Sequence, residues 1–493
     1  MEERSRIPVG LPIANPLPSY WHIPKSPLAN HVPSELPKES DYVIIGSGIS
    51  GTIIALNLLN TNPNANIVML EAREVCGGAT GRNGGHTKAA SYRTYLQLKE
   101  ELGKEEALKI ARLEYENILA THRIAKEMNL DCESKECNTV DLIYDQETFE
   151  SGKAAIEALR ADANAPELKE GGMAWYKIHS RDESMRRFWA ADTNRNPKVK
   201  EDEPLAGAFE YIAGRINAYK FATGILEHCV GRGLKLFTNT PVESVKSAGM
   251  SGDDTGHFVS TSRGDIKSLS VILATNGYTA HLLSSLQGAI VPLRGQITAQ
   301  RPGHDARFPS PLPTTYSFIY KAGYEYMIPR SVAEGGQHIV IGGGLGRAPQ
   351  GGASEFGNSD DSELKGSISG YLNESIVGYF GKENWGKETQ DRIVQEWTGI
   401  MGATADGRPF VGAVPNAKGL WIAAGFNGHG MVLCVKSAEA LVHMIQRDSL
   451  DKLDWFPKSF LISQQRVDGA IFKGRTDMHV AETGGGSIEK SKL

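Results

Sequence analysis

Gly46, Gly48 and Gly51 have the spacing of a turn that binds the phosphates of a nucleotide. The apolar run Val43–Ile45 precedes them, and the pattern of Thr52–Leu59 predicts a helix after them. In such a unit the first glycine permits the tight turn, the second lets the backbone approach a pyrophosphate, and the third allows close helix–strand packing. The free N–H groups of the helix N-terminus then face the phosphates. The alternative is a glycine-rich turn of purely structural use.

Glu71 and a second glycine-rich loop follow this turn. Ile67–Leu70 predicts a second strand, which completes a βαβ unit, and an acid at its end can accept hydrogen bonds from a ribose. The loop 77–85 comes directly afterwards, and Arg82 within it carries a guanidinium suited to a phosphate. A loop in this place suits a cofactor that continues along the protein, as extended FAD does. The alternative for the loop is a flexible surface segment.

A comparable turn lies near the other end of the chain. Residues 419–445 predict a strand, the glycine-rich turn from Gly425 to Gly430, and a helix, whereas residues 290–344 are dominated by predicted strands. The sequence therefore predicts an α/β fold: a Rossmann-like FAD-binding domain assembled from discontinuous segments, plus a β-rich α+β substrate domain. The predicted boundaries are 40–95, 205–290 and 395–445 for the FAD-binding domain, and 96–204 and 291–394 for the substrate domain.

The two ends of the chain fall outside these domains. Residues 1–39 contain eight prolines, which predict an extended arm without helix, with Trp21 as a possible anchor. Residues 446–493 form a predicted tail that ends in Ser491-Lys492-Leu493, a tripeptide typical of proteins recognised by the peroxisomal import receptor. We therefore expect a peroxisomal protein; the alternative is a chance polar ending.

Composition bounds the remaining classes. A length of 493 residues exceeds one ordinary core, and a net charge of −5 argues against nucleic acid as a partner. No run of apolar residues is long enough to span a membrane. The five cysteines are scattered, as in a reducing compartment, and Cys132 and Cys137 have no second pair to complete a zinc site, so we expect no metal.

The segments together resemble the FAD-dependent amine and amino-acid oxidases of the D-amino-acid oxidase superfamily, which includes sarcosine, glycine and γ-glutamylputrescine oxidases. The matching motifs are IIGSGISG, LEAR, GRNGG, LATNGY, WTGIMGATADGRPFVG and AAGFNGHGM, in the order of the family, and GRNGG and WTG are most similar to the γ-glutamylputrescine oxidase group. With the turns above, the resemblance implies contacts with FAD for Gly46, Ser47, Gly48, Ile49, Ser50, Gly51, Glu71, Ala72, Arg73, Gly78, Ala79, Thr80, Arg82, Asn83, Gly84, Gly85, His86, Val242, Thr275, Asn276, Gly277, Gly425, Phe426, Asn427, Gly428, Gly430 and Met431.

The resemblance also implies three residues near the reaction: Arg347, His429 and Tyr326. Arg347 matches a lysine that speeds the reaction of the flavin with oxygen in sarcosine oxidase, and a fixed cation there stabilises developing negative charge. His429 lies in the turn around the flavin, where the alternative is a packing histidine. Four tyrosines with Trp397 either form an aromatic wall for an amine or belong to the sheet core: Tyr316, Tyr320, Tyr324 and Tyr326.

The sequence departs from sarcosine oxidase at three positions. Gly399 replaces the cysteine that bonds covalently to the flavin, and His86 is an alternative attachment point, although an ordinary loop histidine is the simpler interpretation. Ser91 and Val432 replace two cations that hold the carboxylate of the substrate. Their loss favours an amine over an α-amino acid, unless Lys88, Arg93 or Arg330 restores the charge.

The predicted function is an FAD-dependent oxidase of a primary or secondary amine, with polyamine-derived amines among the candidates. A hydride passes from the carbon bearing nitrogen to flavin N5, the imine hydrolyses in water, and O2 becomes H2O2. One alternative is an oxidase of a D- or N-substituted amino acid. Another is a flavoprotein dehydrogenase or scaffold without oxidase turnover.

Overall fold

The computed structural model describes residues 1–247, 256–333, 335–387, 390–446 and 450–475. Its strands are β1 Glu39–Ile45, β2 Ile67–Leu70, β3 His86–Thr87, β4 Lys135–Ile143, β5 Lys177–Ser180, β6 Gly207–Arg215, β7 Lys235–Phe237, β8 Val242–Ser247, β9 His257–Thr261, β10 Gly264–Leu273, β11 Ile290–Gln300, β12 Thr315–Tyr320, β13 Gly323–Ser331, β14 Gln337–Gly342, β15 Ile393–Thr404, β16 Phe410–Ala413 and β17 Leu420–Ala424. Its α-helices are α1 Glu2–Ser5, α2 Ile49–Thr61, α3 Tyr92–Leu102, α4 Lys104–Glu127, α5 Gln146–Asp162, α6 Arg181–Phe188, α7 Ala218–Gly231, α8 Thr279–Leu282, α9 Gly366–Phe380, α10 Lys382–Trp385, α11 Cys434–Ile445 and α12 Gln464–Asp468.

The first sheet is mainly parallel, in the order β16-β17-β10-β1-β2-β7, with β8 and β9 attached at β10. Its central strands are apolar on both faces because helices and loops cover both, as is typical of parallel sheets. On one face α2 packs against α7 and α11, and Ile54 and Leu58 of α2 are fully buried there. The predicted Rossmann-like core is therefore confirmed, with α2 beginning three residues earlier than its sequence pattern indicated.

The second sheet is mixed, in the order β15-β11-β14-β13-β12-β4-β6-β3, and β5 pairs with β6. The helices α3, α4 and α5 pack beside it around a cluster that includes Tyr92 and Phe209, and α9 covers another part of the sheet. The predicted β-rich second unit is therefore present, and the fold class is confirmed.

Three strands that the predicted boundaries gave to the FAD-binding domain lie in the second sheet. His86 pairs with Arg215, which joins β3 to β6, and β15 pairs with β11 along its whole length. The structure forms strand β6 within the predicted segment 205–290, before α7. These assignments were wrong because sheet membership depends on pairing with distant strands, which a local pattern does not contain.

The N-terminal arm is extended except at two short turns. The prediction of no helix was wrong for Glu2–Ser5, a single turn that ends before Pro8. Trp21 is 2% exposed, so it anchors the arm as the sequence suggested. Within the described ranges, no helix combines the length and hydropathy needed to cross a bilayer. Ser491, Lys492 and Leu493 lie outside the described residues.

Candidate active site and cofactor cavity

The chain leaves three neighbouring parallel strands at the same edge of the first sheet. The register pairs Ile45 with Leu70 and with Leu273, so the turns that follow β1, β2 and β10 converge. Gly46 adopts φ +109°, and a Cβ there would lie 2.6 Å from the carbonyl oxygen of Ala274. The first turn therefore requires glycine for both conformation and space. Ligands of open α/β sheets bind at this edge.

The third glycine of the motif packs the helix against the turn. A Cβ on Gly51 would lie 2.0 Å from the carbonyl oxygen of Gly46, which matches the predicted packing role. The hydroxyl of Thr80 accepts the Ile49 N–H at 2.9 Å, so the second loop closes directly over the start of α2. The two glycine-rich loops thus form one structure around the helix N-terminus.

Glu71 lies where the motif predicts the ribose-binding acid. One carboxylate oxygen accepts bonds from the N–H and the hydroxyl of Ser47, at 3.1 and 2.6 Å, and the other accepts the Arg73 N–H at 3.1 Å. Glu71 also lines the cavity at the end of β2. Its orientation is thus fixed by the first turn, and the remaining acceptor capacity faces the cavity.

Arg73 and Arg82 are held by the protein itself. Arg73 makes a two-pronged ion pair with Asp361, with contacts of 2.9 and 3.0 Å, and Arg82 approaches the same carboxylate at 3.4 Å. Arg82 also donates to the carbonyl oxygens of Gly77 and Thr398. These donors of Arg82 are engaged within the protein, and its direct contact with a phosphate stays a prediction. Two guanidinium groups around one carboxylate instead leave a net positive charge beside the cavity.

The late turn is joined to the turn after β10 through Asn276. The side-chain oxygen of Asn276 accepts the N–H groups of Gly425 and Phe426 at 3.1 and 3.2 Å. Asn427 in turn fixes the late turn, since its oxygen accepts the Thr404 N–H at 2.8 Å. Segments from the two ends of the chain therefore meet at one cavity, as the predicted discontinuous domain requires.

The cavity extends from this edge to the second sheet. The predicted site residues that line it are Gly46, Gly48, Ile49, Ser50, Glu71, Ala72, Arg73, Gly78, Ala79, Thr80, Arg82, Asn83, Gly84, His86, Val242, Thr275, Asn276, Tyr326, Phe426, Gly428, His429, Gly430 and Met431. The predicted residues outside the lining are Ser47, Gly51, Gly85, Gly277, Gly425, Asn427 and Arg347. The six residues other than Arg347 shape the turns; a Cβ on Gly277, for instance, would lie 2.4 Å from the carbonyl oxygen of Met401.

Tyr324 and Tyr326 form part of the wall on the second sheet. Both lie on β13, and residues two apart on a strand share a face. Tyr316 and Tyr320 are fully buried and do not line the cavity, and Trp397 stacks on Tyr20 of the arm at 5.8 Å between ring centroids. The hypothesis of an aromatic wall therefore holds for two of the four tyrosines, and the others belong to the sheet core.

Besides Arg294 of β11, which is paired with Glu355, three cations line the cavity near the second sheet: Lys88, Arg93 and Arg475. Lys88 donates to Asp141 and to Ser317, and burial lowers the pKa of its ammonium. Arg93 lies 4.2 Å over the ring of Tyr324, and Arg475 donates to the hydroxyl of that tyrosine at 3.1 Å. Two of the three candidates named for restoring the lost positive charge, Lys88 and Arg93, are therefore in the cavity.

The third candidate, Arg330, is engaged elsewhere. It makes a two-pronged ion pair with Glu133, with both contacts at 2.8 Å, and lies over the ring of Tyr20. Sequence reasoning missed Arg475, because it lies beyond all of the motifs. The unpatterned segment around it gave no signal.

Arg347 does not occupy the predicted position near the flavin. Its guanidinium bonds Glu203 at 2.7 and 2.8 Å and stacks 3.4 Å over the ring of Tyr320, away from the cavity lining. Counting residues from Gly342 failed because the loop after β14 forms a tight helical turn, Leu345–Arg347, with Leu345 in the cavity lining and Arg347 outside it. The alternative of a solvated loop arginine was also wrong, since the side chain is only 17% exposed.

The residues around the cavity fit a flavin dinucleotide. At one end of the cavity, backbone exposed at glycines is available to a pyrophosphate, next to Glu71 and the positive cluster of Arg73 and Arg82. A chamber on the second sheet forms the other end. The family model described as FAD-dependent oxidoreductase (DAO) matches residues 41–444. The chain belongs to this FAD-dependent oxidoreductase family.

The relatives within the family are distant. A glycine oxidase from Geobacillus kaustophilus is 24% identical over 251 residues, which cover 50% of this chain and 57% of the relative, little more than half of its length. The γ-glutamylputrescine oxidoreductase of Escherichia coli is 21% identical over 420 residues, covering 84% of this chain and 85% of the relative.

Solved structures share the fold. The crystal structure of the Geobacillus kaustophilus glycine oxidase matches with a TM-score of 0.64 at 19% identity, over 87% of this chain and 99% of that one. The L-proline dehydrogenase from P. horikoshii matches with a TM-score of 0.61 at 20% identity, over 86% of this chain and 97% of that one. Both confirm the DAO-type architecture.

Two positions bear on how an oxidoreductase of this family would hold its flavin. Gly399 lines the cavity, and a Cβ there would lie 2.9 Å from the Cβ of Arg82, so this chain has glycine where space is short. His86 bonds the hydroxyl of Thr315 through Nε2 at 2.7 Å, and burial holds the pKa of its ring well below the usual value. Nε2 of His86 is thus already engaged, which favours the interpretation as a structural histidine.

Proposed function

We propose that this protein is an FAD-dependent oxidase of an amine that also carries an acidic group. Its relatives include proteins named glycine oxidase and γ-glutamylputrescine oxidoreductase, whose names refer to nitrogen compounds of this kind. FAD, when bound, supplies the hydride acceptor and the route of electrons to O2. The observation that carries the proposal is the charge of the chamber on the second sheet.

Among the residues that the structure describes, cations line the chamber on the second sheet and no carboxylate does. Lys88, Arg93 and Arg475 line it, whereas Glu71, in the dinucleotide half, is the one acid among the cavity-lining residues in the described ranges. A protonated amine has no carboxylate partner among these described lining residues, which favours binding of the reacting nitrogen as the neutral amine. An acidic group elsewhere on the substrate has guanidinium partners, and each charge-assisted bond contributes about 1.5–3 kcal/mol.

The chain's own groups then orient the substrate. Arg475 donates to the hydroxyl of Tyr324, and Arg93 stacks on the ring of the same residue, so the tyrosine aligns the two cations. Asp141 holds the ammonium of Lys88 from behind and also accepts the hydroxyls of Tyr92 and Tyr211, both at 2.8 Å. Ser91 and Val432 carry no charge, whereas the family resemblance implies cations at these two positions in sarcosine oxidase. The acidic group of the substrate is therefore held by other residues than in sarcosine oxidase.

A dehydrogenase that uses another acceptor is the second candidate. The cation expected to assist O2, Arg347, is paired with Glu203 outside the cavity lining. In an oxidase, Lys88 would then have to supply the positive charge that assists the reaction of the flavin with O2.

A peroxisomal location is part of the proposal and rests on the C-terminal tripeptide Ser491-Lys492-Leu493 alone. Peroxide made by an oxidase would then form where it is destroyed. Fusing the last residues to a fluorescent protein, with and without Leu493, tests the address directly.

The deciding experiment screens the purified yellow protein in air and, separately, anaerobically with an artificial dye acceptor. The panel pairs each amine with an analogue that carries a carboxylate, and adds D-, L- and N-methyl amino acids. We expect peroxide with the carboxylated amines and at least about tenfold lower kcat/KM for their uncharged partners. Dye reduction without peroxide would instead establish the dehydrogenase, and a yellow protein that reduces neither acceptor would contradict both.

A further inference from the structure

The N-terminal arm lies along the cofactor cavity. Gly10, Leu11 and Pro12 line the cavity together with Gly46 of the first turn and Val242 of β8. The arm precedes the region that matches the family, which begins at residue 41. The family match therefore does not include the contribution of the arm to the site.

Contacts downstream of Pro12 follow the loop that borders the cavity. The Arg73 guanidinium donates to the carbonyl oxygen of Ile13 at 3.4 Å, and the Leu17 N–H donates to the carbonyl oxygen of Asp361 at 2.8 Å. The Ser19 hydroxyl then donates to the carbonyl oxygen of Gly81 at 2.6 Å.

The indole of Trp21 ends this run of contacts. Its Nε1–H donates to the carbonyl oxygen of Asn83 at 2.5 Å, and the side chain is buried. The arm thus touches the second glycine-rich loop at successive points along its length.

Contacts upstream of Gly10 hold the other side. Arg4 donates through Nε to the carbonyl oxygen of Phe356 at 2.7 Å. The amide of Gln287 donates to the carbonyl oxygens of Ser5 and Ile7 at 2.6 and 2.9 Å. Segment 10–12 is therefore a bridge that is fixed at both ends and spans the cavity between them.

Leu11 shows what the bridge is suited to contact. Its side chain is 37% exposed, although it belongs to the cavity lining, so an apolar surface faces the space beside the turns of the first sheet. An aromatic base bound there would cover it, and burying apolar surface is favourable.

We propose that residues 10–12 form an additional wall of the FAD site and that the arm is a clasp that slows release of the cofactor. The arm contacts the dinucleotide half of the cavity, so opening of the arm and loss of FAD are thermodynamically linked. Bound FAD in turn stabilises the closed arm and so protects it from proteolysis.

The test measures FAD release from the full-length holoenzyme, by the rise of flavin fluorescence after dilution. Leu11→Ala removes the apolar contact at an exposed position, and Arg4→Ala with Gln287→Ala loosens the upstream attachment without altering the cavity lining. We expect each to speed release by about tenfold. On the wild-type chain, FAD should slow tryptic cleavage after Arg4 and Arg6 relative to the apoprotein.

Arg263→Ala is the matched control. Arg263 also donates to arm carbonyl oxygens, those of Pro33 at 2.6 Å and Ser34 at 3.2 Å, but at the far end of the arm. Its release rate should equal that of the wild type. Any of three results would overturn the proposal. Leu11→Ala could release FAD at the wild-type rate, Arg263→Ala could speed release as much as the arm variants do, or FAD could fail to slow tryptic cleavage. These readouts do not depend on which amine the enzyme oxidises.

Discussion

Tyr326 shows at the scale of single residues how missing side chains shape the chamber. A Cβ on Gly84 would lie 2.3 Å from the ring of Tyr326, and a Cβ on Gly342 would lie 2.4 Å from its hydroxyl oxygen. The tyrosine therefore occupies space that two glycines leave free, one in the second glycine-rich loop and one at the end of β14. Burial raises the pKa of the phenol, which remains protonated in the neutral range.

Arg475→Gln tests the charge of the chamber. The variant keeps hydrogen-bonding capacity but loses the guanidinium, so KM for amines that carry a carboxylate should rise by about 10- to 100-fold, as expected for a lost charge-assisted bond. KM for amines without a carboxylate should stay within about twofold.

Steady-state kinetics on paired substrates checks this result. Arg232→Gln provides the same change outside the cavity lining, where the side chain bonds Asn60 and the carbonyl oxygen of Leu59. An equal rise in KM for both substrate groups would show that Arg475 acts through the fold and not on the acidic group.

Strand β13 shows at the scale of an element how one strand serves two purposes. Tyr324 and Tyr326 face the cavity, whereas Glu325 points to the opposite side of the sheet and is completely buried. Its carboxylate accepts the hydroxyls of Tyr320, Tyr371 and Tyr379, at 3.0, 3.1 and 2.6 Å. The carboxylate also accepts the N–H of Gly344, in the loop after β14. The buried network thereby fixes the backbone behind the chamber.

Glu325→Gln should change how stability depends on pH. Burial raises the pKa of Glu325 to about 7, against an ordinary value of 4.5, while the tyrosine hydroxyls and Arg347 oppose the shift. Between these two values the folded state holds more protons than the unfolded state, so the free energy of unfolding falls as pH rises. The wild type should therefore lose stability from about pH 5 to about pH 7, and the variant should lose less.

Thermal unfolding between pH 5 and pH 8 measures the effect. Glu243→Gln is the control, because Glu243 is an exposed carboxylate on β8 and its removal should leave the slope unchanged. A slope in Glu325→Gln identical to that of the wild type would show that the buried carboxyl does not titrate in this window.

The cavity joins the two sheets at the scale of the whole molecule. Its lining includes the first turn after β1 and the tyrosines of β13, and the arm crosses its edge. A cofactor that fills both halves therefore connects the first sheet to the second. Without it, the two sheets are joined where the chain passes into β3, β6 and β15 of the second sheet. Such a ligand stabilises by mass action, by about 2.7 kcal/mol at a hundredfold excess over its Kd.

Hydrogen exchange on the apoprotein tests this linkage. FAD should slow exchange both in the turn after β1 and in Gly323–Ser331, because it reaches both sheets. ADP, which can occupy only the dinucleotide half, should slow exchange in the turn but not in β13. Equal protection of β13 by ADP would mean that the cavity is not divided between the sheets in this way.

The sequence by itself determined the local units of the site. The glycine turn, β2 and Glu71 are contiguous in the chain, and their roles depend on backbone conformation and spacing that a sequence records directly. The late turn was also predicted from its local pattern, the family resemblance assigned it to the flavin, and the structure confirms that both turns reach one cavity. These features involve near neighbours, or motifs specific enough to be recognised on their own.

Only the tertiary structure decided which distant groups meet. Arg347 was expected near the flavin and instead pairs with Glu203, while Arg475 and Leu11, which no pattern singled out, line the cavity from opposite ends of the chain. The alternation along β13 likewise became meaningful only once the strand had neighbours. The physical reason is that charge pairing, burial and sheet membership depend on contacts between remote segments, and a one-dimensional pattern does not contain those contacts.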